Sequence, residues 1–280
     1  MILDGKVVAA DIKQRLKEEI AAANKRAPYL VIITIGDDPA SKVYVRNKVK
    51  ACEEIGIQVR HYVFAADDEP QAVLDLIDML NYADRIDGIM VQLPLPQDWN
   101  EREIIDAIHP DKDVDGLTTI NIGRLRSGQP GLRPCTAQGI IDLCKYYKID
   151  IKGKDVTIVG RSNIVGKPVA DLMMAEGATV TQCHSKTEWL EIHTLPADIV
   201  ISAIGKPKFL NDRHFGYGKV IIDVGINRDE NGKLCGDVDF EEVKEKVECI
   251  TPVPGGVGPM TVAELMKNTV ECWRKNINNN

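Results

Sequence analysis

Short apolar runs alternate with stretches of helical period along almost the whole chain, and this alternation limits the fold more than any other feature. Residues 30–35, 57–64 and 88–95 read as strands, and 11–23, 41–55, 71–80 and 101–108 as helices. In the first helix Ile12, Leu16 and Ile20 recur every fourth position; in the third, Val73, Leu74, Ile77 and Leu80 share one face. A second series opens near residue 137. Its strands are expected at 156–159, 179–183, 198–204 and 220–224, with a helix running from the loop after Gly160 to Glu176 and a last helix over 263–274. Strands that take turns with helices form parallel sheets joined by right-handed crossovers. The fold class is therefore α/β, with the second series of doubly wound type. The closing asparagines, Asn278 to Asn280, are expected to fray.

Composition narrows the function. With 44% apolar and 28% charged residues in 280, the chain is globular. A net charge of −7 argues against a nucleic-acid partner, which needs a concentrated positive field. No run approaches the ~20 apolar residues of a membrane helix. The opening Met1-Ile2-Leu3-Asp4-Gly5-Lys6 lacks the basic-then-apolar pattern of a secretory leader, so a cytoplasmic location is expected. Seven dispersed cysteines without C-x-x-C spacing read as reduced, mostly buried thiols. Neither they nor the five histidines have metal-ligand spacing, so no metal is expected.

The segment Gly160-Arg161-Ser162-Asn163-Ile164-Val165-Gly166-Lys167-Pro168 joins a strand to a helix, where a dinucleotide pyrophosphate can rest on a glycine-bounded turn and a helix N-terminus. Serine at 162 departs from G-x-G-x-x-G. Val165 and Pro168 break the Walker A pattern, which speaks against a nucleotide-triphosphate hydrolase or switch. An ordinary strand-to-helix turn is the plain alternative. The next strand ends in His184-Ser185-Lys186, without the acid that holds an NAD ribose. Arg161 and Ser185 suit a 2′-phosphate, which favours NADP.

A second polar set lies in the first third. Tyr44 and Lys48, one helical turn apart, flank an apolar stripe of Val45, Val49 and Cys52, and should stand half buried at the lip of the sheet. Gln92 closes an apolar strand in Val91-Gln92-Leu93-Pro94-Leu95-Pro96. Asp113 and Asp115 lie in Lys112-Asp113-Val114-Asp115-Gly116, where a plain turn would explain Asp115 equally well. Pro252-Val253-Pro254-Gly255-Gly256-Val257-Gly258-Pro259 precedes the last helix as a rigid loop poor in side chains. A sensor that only bound NADP would need no such second site.

Together with Ser41-x-x-Tyr44-Val45-x-x-Lys48 and Thr251 to Thr261, these motifs resemble the bifunctional methylenetetrahydrofolate dehydrogenase/cyclohydrolase family over nearly the whole length. The resemblance implies two α/β domains with a cleft between them. Residues 1–136 would be the folate-binding catalytic domain, with the final helix 259–280 packing back onto it, and 137–258 a Rossmann-type NADP domain. It implies oxidation of 5,10-methylenetetrahydrofolate by NADP⁺ and hydrolysis of the methenyl product to 10-formyltetrahydrofolate, in a homodimer that serves purine synthesis. Lys48 would be the key catalytic residue, Tyr44 would stack on the pterin, Gln92 would tune Lys48, and Asp115 would bind the pterin edge. Val91, Leu93, Pro254, Gly255, Gly256 and Gly258 would complete the substrate site; Gly160, Arg161, Ser162, Ser185 and Ile226 would contact NADP. A monofunctional dehydrogenase is the alternative, against which Lys48 with Gln92 speaks. Ala137 departs from the Pro-Cys-Thr-Pro usual in the family, and a local loop difference is expected there.

Overall fold

Residues 1–279 are described in the computed structural model, and they divide into two units. The first is built from Asp11–Cys135 and the residues from Val262 onward; the second from Met1–Ala10 and Thr136–Thr261. The division that the family resemblance implies places residues 1–10 in the catalytic domain. Here they join the second unit, where Ile2 bridges Ile250 and the Leu3 N–H donates to the Ile250 carbonyl at 2.9 Å.

Helix α1 (Gly5–Ala22) carries the chain into the first unit, followed by β1 (Tyr29–Ile35), α2 (Pro39–Glu54), β2 (Gln58–Phe64), α3 (Pro70–Asn81), β3 (Gly88–Val91), α4 (Glu101–Asp106) and α5 (Thr119–Arg126). The parallel sheet has the order β2-β1-β3, with Leu30 opposite both Val59 and Gly88. Strand β1 is central and covered on both faces, so Leu30 to Ile33 are wholly buried and show no polar alternation. Helix α3 lays Val73, Ile77 and Leu80 on this sheet, in one core with Val31, Ile33, Ile89 and Ile104. Strand β3 stops at Val91 rather than Leu95. Pro94 and Pro96 have no N–H for a ladder, so Gln92 falls just past the strand end.

The second unit contains α6 (Cys135–Tyr146), β4 (Asp155–Val159), α7 (Gly166–Ala175), β5 (Thr179–Cys183), α8 (Leu190–Thr194), β6 (Ile199–Ser202), β7 (Val220–Asp223), the hairpin β8 (Asn227–Arg228) and β9 (Leu234–Cys235), α9 (Phe240–Val243) and β10 (Cys249–Ile250). Five strands run parallel in the order β10-β7-β6-β4-β5. The chain goes outward from β4 to β5, then crosses back to build β6, β7 and β10 on the other side. The reversal between β4 and β6 is the switch point at which open α/β sheets bind ligands. Ala137 sits wholly buried in the first turn of α6, so the departure expected in a loop is helical; the first turn would take proline too.

Helix α10 (Val257–Asn279) starts six residues before the expected 263, because Gly258 and Pro259 are tolerated in a first turn. It runs through Asn278 and Asn279, and Asn280 lies outside the described residues. Within the first unit its Trp273 indole donates to the Arg26 carbonyl at 2.8 Å, and the Asn276 amide to buried Asp87 at 2.8 Å. All seven cysteines are unpaired and buried. Among the described residues, no helix is long and apolar enough to cross a membrane.

Candidate active site

The polar set of the first unit converges on one lysine. Asp38 caps α2 by accepting from the Ser41 N–H at 2.7 Å, and the helix turns Val45, Lys48 and Cys52 onto its buried face. Lys48 is only 4% exposed, so it lies within the stripe, while Val49 is half buried. The expected stripe is thus rotated by one position. A buried lysine tip must find partners. Its Nζ donates to Gln92 Oε1 at 3.2 Å and to Met90 Sδ at 3.3 Å, and lies 4.6 Å from the centre of the Tyr44 ring. Gln92 is oriented in turn: its Nε2 donates to the Leu93 carbonyl at 2.6 Å, so Oε1 faces the lysine. Beside Gln92 opens a cavity of about 90 Å³ lined by Thr34, Ser41, His61 and Pro94 among others.

The two aspartates differ in their partners. Asp113 is wholly buried and accepts from the N–H groups of Leu117 and Thr118 at 3.2 and 2.8 Å and from the Asn121 amide at 2.9 Å. It holds the turn into α5. The Asp115 carboxylate has no such backbone cradle; the Cys135 N–H donates to the Asp115 carbonyl at 3.3 Å, and its thiol donates to the Val114 carbonyl at 3.2 Å. Burial raises the Asp115 carboxyl above its ordinary range, and the positive charge of Lys48 works against that rise. The Tyr44 phenol is also pushed up, first by burial and then by the charge of Asp115. Tyr44, Lys48, Gln92 and Asp115 therefore form one electrostatic group within one unit. Val91 is buried at the end of β3 and Leu93 is half buried beyond it.

Sequence reasoning missed the supports of this group. Asn268 on α10 donates to the Val114 carbonyl at 2.8 Å and the Arg133 carbonyl at 3.0 Å, bracing the strand of chain next to Asp115. Met90 and Asn268 each occupy a core face of their element, where nothing in the pattern marks them as polar contacts.

The remaining candidates belong to the second unit. Gly160 ends β4 with φ +134°, and a Cβ there would lie 2.3 Å from the Ala203 carbonyl oxygen, so only glycine lets β4 pass so close to the end of β6. The N–H groups at this helix N-terminus, where a pyrophosphate is expected to rest, already have partners within the loop. Those of Val165 and Gly166 are taken by Ser162 Oγ at 3.2 and 3.3 Å, and that of Lys167 by the Ser162 carbonyl at 3.0 Å. Ser162 Oγ, having accepted two bonds, keeps its own hydrogen to donate outward. Arg161, Ser162 and Ser185 are exposed, and no ion pair engages Arg161 among the described residues. A guanidinium and two hydroxyls at the carboxyl ends of β4 and β5 fit the phosphates of a dinucleotide. Ile226 is 61% exposed beyond β7. Gly255 and Gly256 are buried, Pro254 is exposed and Gly258 half buried, in the segment leading into α10.

Two carboxylates lie beneath the β6 and β7 ends. Asp223 accepts from the N–H groups of Gly225, Asp237 and Val238 at 2.9, 3.0 and 2.9 Å. Burial nevertheless pushes its carboxyl up to about 7, with the neighbouring charge of Asp237 adding to the rise. The unfolded chain gives up this proton near the ordinary carboxylate value, so the folded form binds more protons between about pH 4 and 7. Stability is therefore expected to fall as pH rises through that window, and the slope of Tm against pH to flatten in Asp223→Asn.

A family model for the catalytic domain of tetrahydrofolate dehydrogenase/cyclohydrolase matches residues 3–115, and the model for its NAD(P)-binding domain matches residues 134–277. A protein of Agathobacter rectalis named bifunctional protein FolD is 51% identical over 98% of this chain and 99% of its own length. The crystal structure of the FolD dehydrogenase/cyclohydrolase from Campylobacter jejuni superposes with a TM-score of 0.96 at 46% identity, covering 98% of this chain and 99% of that one. The Trypanosoma brucei FolD, solved with NADP and an inhibitor, gives 0.94 at 36% identity, covering 99% of this chain and 98% of that one. With both domain models matched and relatives near half identical from end to end, the chain belongs to the tetrahydrofolate dehydrogenase/cyclohydrolase family.

Proposed function

We propose that this chain oxidises 5,10-methylenetetrahydrofolate with NADP⁺ and hydrolyses the methenyl product to 10-formyltetrahydrofolate. The observation that carries this reading is the buried Lys48 amine, held by Gln92, Met90 and the Tyr44 ring, with the Asp115 carboxyl in the same electrostatic group. Tyr44 offers its ring to the flat pterin. Asp115 accepts paired N–H bonds from the pterin edge, which orients the reacting carbon. The dinucleotide, when bound, supplies the hydride acceptor. For hydrolysis, the positive charge of the bound methenyl substrate disfavours the ammonium form of Lys48, and water adds to the methenyl carbon while the neutral amine takes one of its protons. The C–N5 bond then opens, N5 gains one proton, and the other passes to solvent. Gln92 keeps the amine at the reacting carbon. Pro254, Gly255, Gly256 and Gly258 are proposed to bind the folate, a role that the family motif supports.

Following absorbance after mixing with methylenetetrahydrofolate and either dinucleotide tests the reading. The methenyl species should appear faster with NADP⁺ than with NAD⁺ and then decay faster than it does without enzyme. Methenyl product that accumulates and decays at the spontaneous rate would leave only a dehydrogenase. Arg161 is proposed to pair with the 2′-phosphate. Arg161→Ser should raise KM for NADP⁺ by about 10- to 100-fold, the worth of a lost charge-assisted contact, and leave KM for NAD⁺ unchanged. The family motifs further support a cytoplasmic homodimer that feeds one-carbon units to purine synthesis without nucleic-acid partners; light scattering on the purified protein checks the dimer.

A further inference from the structure

Asp237 is wholly buried in the loop between β9 and α9, and no motif marks it. Each of its oxygens takes two donors. Oδ2 accepts from the Ile204 N–H at 2.8 Å and the Ser202 hydroxyl at 3.0 Å; Oδ1 accepts from the Lys206 N–H and the Asn227 amide, both at 2.9 Å. One side chain thus ties the loop after β6 to the segment after β7 that carries Ile226. Its own backbone is tied in turn to Asp223, at the end of β7. The surrounding glycines leave room for nothing else. A Cβ on Gly225 would lie 2.3 Å from Asp237 Oδ1, and one on Gly236 would lie 1.8 Å from Asp223 Oδ2.

The place of this clamp gives its meaning. The switch point lies between β4 and β6. On the β4 and β5 side, Arg161 and Ser185 are suited to the 2′-phosphate of the adenosine half. The pyrophosphate would cross at Gly160, and the nicotinamide half must then lie over the loops after β6 and β7. Those are the loops that Asp237 joins. We propose that Asp237 is a positioning residue for the nicotinamide half of the dinucleotide, setting the backbone of Ile204–Lys206 and Ile226–Asn227 before the cofactor arrives. The proposal rests on the NADP reading of the Gly160 loop. An amide cannot replace the carboxylate, because a backbone N–H points at each of its two edges. Whichever way Asn is turned, one N–H meets another N–H.

Calorimetric titration of Asp237→Asn with NADP⁺ and with adenosine 2′,5′-bisphosphate, the adenosine half alone, separates the roles. Kd for NADP⁺ should rise at least about 10-fold, the worth of one lost hydrogen bond to a charged group, while Kd for the bisphosphate stays within about twofold. The cyclohydrolase kcat, which needs no dinucleotide, should be retained, and KM for NADP⁺ should rise together with a fall in dehydrogenase kcat. Equal loss for both ligands would overturn the proposal and leave a general structural role, as would an unchanged Kd for NADP⁺. Should Asp237→Asn fail to fold, Asn227→Ala removes one arm only and should show the same selective loss on a smaller scale; no selective loss there would also overturn it. Failure of the unaltered protein to bind either ligand would instead strike the cofactor reading.

Discussion

Lys48→Met is expected to lower the cyclohydrolase kcat by about 10³-fold, within the span assigned to a positioned acid–base group. The dehydrogenase should fall by much less, because hydride loss is assisted by the substrate's own nitrogen and asks mainly for alignment. Methionine keeps the stem of Lys48 and its place on the buried face of α2 between Val45 and Cys52, so the fold should hold. What disappears is the Nζ that joins Gln92, Met90 and the Tyr44 ring. The two activities are measured on one preparation, by NADPH formation and by the decay of added methenyltetrahydrofolate. Full cyclohydrolase turnover in the variant would remove Lys48 from the base role.

Asp115→Asn should have the other large effect. Its amide offers one acceptor where a carboxylate offers two, and turns a donor toward the N–H pair of the pterin. A loss of about 100-fold in kcat/KM for the folate substrate is expected, equally for both activities. The fold should respond in the opposite sense. Burial already disfavours the Asp115 charge, so its removal is expected to leave Tm unchanged or slightly higher. A variant with normal folate KM would show that the pterin edge is read elsewhere.

Much of the fold was legible because β1, β4, β6 and β7 are buried on both faces, and unbroken apolar runs are how such strands look in sequence. Their limits were read well where a glycine or a turn follows. They were read badly where the cue is a missing N–H, as at Pro94 and Pro96, or where a helix starts through glycine and proline, as at Val257. Short elements such as α5, α9 and the β8–β9 hairpin have too few residues to show a period. The site was legible as spacing and motif. Lys48 lies one helical position from where the apolar stripe places the buried face, because a hydrophobic pattern prefers Val49 there. Asp113 and Asp115 look alike in sequence and separate only in the fold: one is spent on backbone N–H groups, the other sits in the field of the Lys48 charge. No motif marks Asp237, and only folding brings the four donors around it.

The chain crosses between the two units three times, at residues 10–11, 135–136 and 261–262; two of those crossings fall inside the helices α1 and α10, and the third at the first residue of α6. This has a practical consequence for anyone wishing to exchange cofactor preference between relatives. A single cut near residue 136 would strip the first unit of Asn268 and Trp273 and leave the second without the segment that bridges Ile250. A working chimera must graft three seams at once, two of them in mid-helix with the phase of the turn preserved. Recombination at one point, the commonest way in which domains are shuffled, would therefore be expected to yield broken proteins here, and the pairing of these two units should be inherited as a block.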